Sequence, residues 1–203
     1  MIHRPPIKRY FLNEKVLKKC GLNFNVLHKG IDYTYKTLGK IESAIPGSKL
    51  PELVDLANLS SMIGNFLAIG IIKNSNNFIK SGSHQYQDLR SKSKKYKNIE
   101  IKMSIEKNKP KAHLAKKGYY LTCRYVLGNE DGTYSYGKRG SYIWMWEIRF
   151  GYLTKKHFNI SNTINDSGKT AVVNSLGMKK LIPVFFNPNH CPYEKKNGEL
   201  RVL

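Results

Sequence analysis

Three side chains on two short stretches of this sequence have the types and spacing to hold a divalent cation and act on a phosphodiester. Asp88 follows Tyr86-Gln87, and twelve positions later comes Glu100, within Asn98-Ile99-Glu100-Ile101-Lys102-Met103. An acid at one strand end and Glu-x-Lys on the next strand would bring two carboxylates and an ammonium to one point. Carboxylates that close repel unless a cation lies between them. Magnesium suits such a set, since it takes a few carboxylates together with waters and phosphate oxygens. Asp88 and Glu100 are the expected ligands, with the Ile101 carbonyl as a third. Lys102 is expected to stabilise charge on the phosphate and orient the attacking water.

These groups need a rigid carrier, and residues 98–105 supply the pattern of one. Ile99, Ile101, Met103 and Ile105 fall on one face of a strand, and Asn98, Glu100, Lys102 and Ser104 on the other. The apolar face anchors in a core while the charged face is presented. Around this strand the sequence predicts a mixed α/β fold, a central mixed sheet flanked by helices. Residues 1–77 read as mostly helical and residues 78–190 as a sheet core with loops, within one domain spanning 1–203.

Helices are predicted over Asn13–Lys19 with Asn13 as cap, over Tyr33–Ala44, and over Leu50–Leu67 with Pro51 in the first turn. The last of these could equally be a subunit interface. Phe78 to Leu89 reads as extended, Lys107 to Lys117 as loop or short helix, and Tyr119–Leu127 and Tyr142–Leu153 as strands about a turn at residues 128–132. Residues 166–180 read as a helix on the sheet, Leu181–Phe186 as a last strand, and Tyr193 to Gly198 as a polar tail.

The 203 residues carry 35 Lys and Arg against 14 Asp and Glu, a formal charge of +21, so a polyanionic partner is expected. No segment approaches the roughly 20 apolar residues of a spanning helix, and no membrane partner is expected. Met-Ile-His-Arg-Pro-Pro lacks the apolar run of a secretory signal. Cys20, Cys123 and Cys191 form no Cys-x-x-Cys pair, which disfavours a zinc cluster and a disulfide framework and suits a reducing cytoplasm.

Asp88, a short hairpin and Glu-x-Lys on an amphipathic strand resemble the PD-(D/E)xK nuclease superfamily, whose members of this size are commonly type II restriction endonucleases. The resemblance covers Tyr86 to Ser104, and Gln87 stands where the eponymous Pro would be. It implies a magnesium-dependent endonuclease, acting as a homodimer on double-stranded DNA at a short palindrome. It also implies a restriction-endonuclease-like core and often an acid on an N-terminal helix, for which Glu42 is the candidate.

Between Arg90 and Lys117 eleven Lys and Arg face two acids, Glu100 and Glu106. Lys107, Lys109, Lys111, Lys116 and Lys117 are the phosphate candidates, with His113 near a base edge. Lys138 and Arg139, between glycines, could enter a groove, where the Arg139 fork would read guanine. Simpler readings stand beside these. Glu100 and Lys102 could be a solvated ion pair, and the lysines a solvated face of a non-enzymatic DNA- or RNA-binding protein. A repair or junction-resolving nuclease on the same core is a further alternative. Glu147-Ile148-Arg149 with Asp131 is a weaker copy of the motif, with Arg for Lys. Gly168-Lys169-Thr170 lacks the earlier glycine of a phosphate-binding loop.

Overall fold

The structure, a computed structural model, describes residues 6–82, 87–135, 137–161, 170–193, 195–196 and 199–200. Its first helix, Glu14–Lys18 (α1), starts at Asn13, but not as a cap. Asn13 has φ +57° and donates its side-chain amide to the Pro183 carbonyl 2.9 Å away. The second helix, Phe24–Ser43 (α2), begins nine residues before the predicted start at Tyr33. Asn23 caps it, accepting the Val26 N–H at 2.8 Å. Val26, Leu27, Ile31, Leu38 and Tyr35 form its buried stripe.

The expected helix over Leu50–Leu67 divides in two. A single turn, Leu50–Leu53 (α3), ends at Val54, and Asp55 starts Leu56–Lys73 (α4) by accepting the Ala57 and Asn58 N–H groups. The 18 residues of α4 have a mean hydropathy of 1.4, long and apolar enough to cross a membrane by length and composition, contrary to expectation. Here α4 packs against α2 and the sheet. The two helices meet at Gly30 and Gly70, where a Cβ on Gly70 would lie 2.8 Å from the Gly30 carbonyl oxygen.

Six strands form the central sheet: Phe78–Lys80 (β1), Leu89–Ser91 (β2), Ile99–Ile105 (β3), Gly118–Gly128 (β5), Tyr142–Leu153 (β6) and Ile182–Phe186 (β9). Lys111–Ala112 (β4), Phe158–Ser161 (β7) and Thr170–Val173 (β8) belong to a second sheet. The central order is β1-β2-β3-β5-β6-β9, with β3 and β5 parallel and the other neighbours antiparallel. This is the mixed α/β architecture the sequence predicts. The region expected as a helix over 166–180 is instead strand β8 and a short helix, Ser175–Lys180 (α5), with residues 166–169 outside the described residues. Thr170-Ala171-Val172-Val173 is β-branched enough to prefer the sheet.

The two faces of the central sheet differ. Ile99, Ile101, Leu121, Cys123, Tyr125, Met145, Ile148 and Phe150 join the helices in the main core. On the opposite face Tyr120 and Leu153 pack with Phe158, Val173 and Leu181, and Val126 with Trp144 and Trp146. The chain's ends are joined by pairing of Phe11 with Phe185, backed by a Leu12 N–H bond to the Val184 carbonyl at 3.0 Å.

Candidate active site

β2 is short, and it pairs with β3 only at Leu89 and Ile99. Past Ile99, β3 has no further strand partner on this edge among the described residues. Asp88 sits at the parting, and its Oδ2 accepts the Ile101 N–H at 2.7 Å. In a strand the N–H and C=O of one residue face the same edge. The Ile101 carbonyl therefore opens toward Asp88 as well, away from β5.

Side-chain alternation on β3 is as the sequence predicts. Ile99, Ile101 and Ile105 are buried on the helix side, and Met103 packs under Gly64 of α4. Glu100 and Lys102 share the other face, where Lys102 Nζ lies 2.5 Å from Glu100 Oε1. Glu100 is not solvated: it is 6 % exposed, and its Oε2 accepts the Gln87 N–H at 2.8 Å. Burial raises its pKa above the usual carboxylate value; Lys102 pulls it down, and the Asp88 charge adds to the rise.

Gln87, which the sequence marks only as a departure from the motif's Pro, joins the two acids. Its φ of +79° is left-handed, a region costing a non-glycine residue about 1–2 kcal/mol. That turn aims its N–H at Glu100, and the Ser81 hydroxyl donates to its carbonyl. Proline could not serve here, because its ring fixes φ near −65° and it has no N–H. The departure from Pro at this position thus has a local physical cause. Tyr86 lies outside the described residues.

A cleft of about 590 Å³ runs along that edge of β3 and is bounded by α4. Asp88, Ile101 and Lys102 line it, as do Lys109, Lys111 and His113. Ser60, Ser61 and Asn65 of α4 line the opposite wall, positions that helix periodicity alone does not mark as functional. Glu100 stands behind the wall, joined to it through Lys102. Asp88 and Glu100, with the Ile101 carbonyl, are oxygen donors of the kind that magnesium takes together with waters, and the Asp88 charge adds to the rise in the Glu100 pKa. Among the described residues no three of His, Cys, Asp and Glu form a fuller ligand cluster.

Other candidates fall elsewhere. Glu42 does not join Asp88 and Glu100: it is buried at the end of α2, with Lys49 and Glu52 as its charged neighbours, and burial raises its pKa. Lys107 lies over the Tyr193 ring at 5.1 Å, away from the cleft. Lys116 and Lys117 are exposed just before β5, and Lys138 is exposed in the loop joining β5 to β6. Arg139 is already engaged, since Glu106 accepts from its Nε at 2.9 Å and its Nη2 at 3.3 Å. A free guanine-reading fork is therefore not what the structure contains at Arg139.

The weaker motif copy is structural. A bulge in β6 makes Trp146 an extra residue between the pairs Arg124–Glu147 and Tyr125–Met145. It turns Glu147 onto the face of Trp144 and Trp146, opposite to the expected alternation. There Glu147 Oε2 accepts the Arg124 Nε at 2.6 Å, and its Oε1 lies 2.8 Å from Arg149 Nε. Arg124 also stacks on Trp146 at 4.2 Å. Asp131 caps its own turn through Thr133. No protein-family model matches the chain, and a search of the curated proteins finds no similar sequence.

Proposed function

We propose that this chain is a magnesium-dependent endonuclease of the PD-(D/E)xK type, acting in the cytoplasm as a homodimer on double-stranded DNA at a short palindromic site, in the manner of type II restriction enzymes. The observation that carries the proposal is the Asp88 carboxylate on the Ile101 N–H, with buried Glu100 and Lys102 on the same strand. The +21 charge and the cationic cleft support a nucleic-acid substrate. Asp88, Glu100 and the Ile101 carbonyl would hold the ion. The metal would supply an activated water and neutralise charge developing on the phosphate. Lys102, which pairs with Glu100, would stabilise charge on the scissile phosphate. Lys109 and Lys111 bind flanking phosphates along the cleft.

One observation favours a second reading. Both Glu100 oxygens already have protein partners, Lys102 and the Gln87 N–H, so the network is complete without a cation. A non-enzymatic nucleic-acid-binding protein would look the same. Incubation with long unmethylated duplex DNA, with magnesium or with chelator, separates the two on a gel. Discrete magnesium-dependent fragments, lost in Glu100→Ala, support the endonuclease. A smear or a preference for branched DNA would favour a repair or junction-resolving enzyme. Intact but retarded DNA would leave the binding protein.

A further inference from the structure

The segment leading from Arg90 toward β3 starts two residues after Asp88 and ends three residues before Glu100. It reads Arg90-Ser91-Lys92-Ser93-Lys94-Lys95-Tyr96-Lys97, five cations in eight residues with no acid. All five are exposed, and among the described residues no carboxylate lies within ion-pair range of them. Such crowding of like charge is self-repulsive.

A turn under that repulsion would fray unless it were held, and this one is held at several points. Ser91 N–H donates to Asn98 Oδ1 at 2.8 Å, and the Ser91 hydroxyl donates to the Ser93 carbonyl at 2.7 Å. Lys92 N–H donates to the Asn77 carbonyl at 2.9 Å, and Asn77 in turn donates to the Gly21 carbonyl at 2.8 Å. The Tyr96 ring lies flat on Gly21, whose φ of +81° and missing Cβ admit it; a Cβ there would stand 2.7 Å from Tyr96 Cγ. The result is an open concavity of about 600 Å³ lined by Ser91, Lys92, Ser93, Lys94, Tyr96, Lys97 and Asn98.

We propose that this pinned basic turn is a second contact surface for the sugar–phosphate backbone of duplex DNA, beside the cleavage site. The inference rests on the nuclease reading for its substrate. The one ring in its lining, Tyr96, packs against Gly21 and has Lys95 Nζ 5.4 Å from its centroid, so the surface is dominated by charge and hydroxyls and not by a stack of rings. That chemistry suits backbone phosphates, with no sequence preference. Glu100 is three positions after Lys97, a span of at most about 10 Å at roughly 3.3 Å per extended residue. At about 3.4 Å of axis per nucleotide, the phosphates it holds lie within about three nucleotides of the bond cut.

The test is the variant Lys92→Gln/Lys94→Gln/Lys95→Gln/Lys97→Gln against the wild type and the charge-preserving Lys→Arg set. Binding to duplex DNA is measured over a salt series in chelator, and single-turnover cleavage in magnesium at saturating DNA. Each lost phosphate contact lowers the log–log salt slope by about 0.9, so the Gln variant should lose about 3–4 in slope and bind at least tenfold more weakly at physiological salt. The Arg set should keep the slope, and the saturating cleavage rate should stay within about threefold. An unchanged slope in a folded Gln variant would overturn the inference, as would tighter wild-type binding to single-stranded DNA or to RNA. If no protein cleaves but the slope still drops, the nuclease reading falls and the contact surface stands.

Discussion

The carboxylate of Asp88 accepts the backbone N–H of Ile101 across the gap where β2 parts from β3. A side chain thus takes the place of a strand, and it does so between Glu100 and Lys102 in the sequence of β3. Under the nuclease reading, Asp88→Ala and Glu100→Ala each lower magnesium-dependent cleavage by at least about 100-fold, since altering even the groups around a metal's ligands costs 10–100-fold. DNA affinity in chelator should stay near that of the wild type. Full cleavage by Glu100→Ala would end the assignment.

Gln87 gives a sharper test of the same network. Gln87→Gly relieves the left-handed backbone without losing the N–H to Glu100, and should be neutral or stabilising by up to about 1 kcal/mol. Gln87→Pro removes that N–H and forbids φ +79°, and should destabilise by more than 1 kcal/mol and abolish activity. Equal stability of the two variants in chemical denaturation would show that the Gln87–Glu100 bond is unimportant.

The pH dependence has a defined sign. Burial raises the pKa of Glu100 and of Glu42, so between the ordinary and the raised values the native state holds more protons than the unfolded chain. Stability contributed by these groups is complete below the ordinary carboxylate pKa and falls as pH climbs through the raised one. Glu100→Gln and Glu42→Gln should therefore raise the neutral-pH Tm and flatten its decline from acid to neutral pH. Under the nuclease reading, magnesium should raise the Tm of the wild type and of Glu42→Gln, but not of Glu100→Gln. Glu42→Gln should keep full activity; loss of cleavage there would restore Glu42 to the catalytic group.

Glu147 serves as the control for chance copies of the motif. Glu147→Ala leaves Arg124 and Arg149 buried without their shared carboxylate and should cost about 3–5 kcal/mol. Any activity loss should track the unfolded fraction and recover when the protein is assayed well below its Tm. A folded Glu147→Ala that cannot cleave would mean that the second motif takes part.

At Arg139 the fork is spent on Glu106, a partly exposed pair worth about 0–1 kcal/mol. Arg139→Ala should change stability by less than about 1 kcal/mol and leave site preference unaltered. A relaxed preference at one base pair would instead show that Glu106 releases the guanidinium when DNA binds.

How much of this was legible in the sequence depends on where each residue's partners lie. β3 could be read from alternation, because one flat layer of helix covers one of its faces. Position 147 could not, because the bulge at Trp146 shifts the alternation by one residue. The start of α2 was missed because its cap, Asn23, precedes a first turn of mixed polarity, and its packing depends on Gly70 of another helix. The nearness of Asp88, Glu100 and Lys102 follows from their spacing and from the alternation of β3, both of which the sequence carries. Gln87 was passed over because its contribution is a backbone N–H at positive φ, which no side-chain pattern records. Glu42 was proposed from the resemblance, and the fold turns it toward α3.

The pairing of Phe11 with Phe185 bears on how the protein is made. The bond from Asn13 to Pro183 spans 170 positions, so the edge of β9 is covered only after Pro183 has left the ribosome. Until then Phe11 lacks its partner Phe185, and the nascent chain exposes apolar surface that a chaperone or a protease could find. The closing contact lies far from the cleft, so a substitution at Phe185 should lower yield in cells more than it lowers the activity of the molecules that do fold.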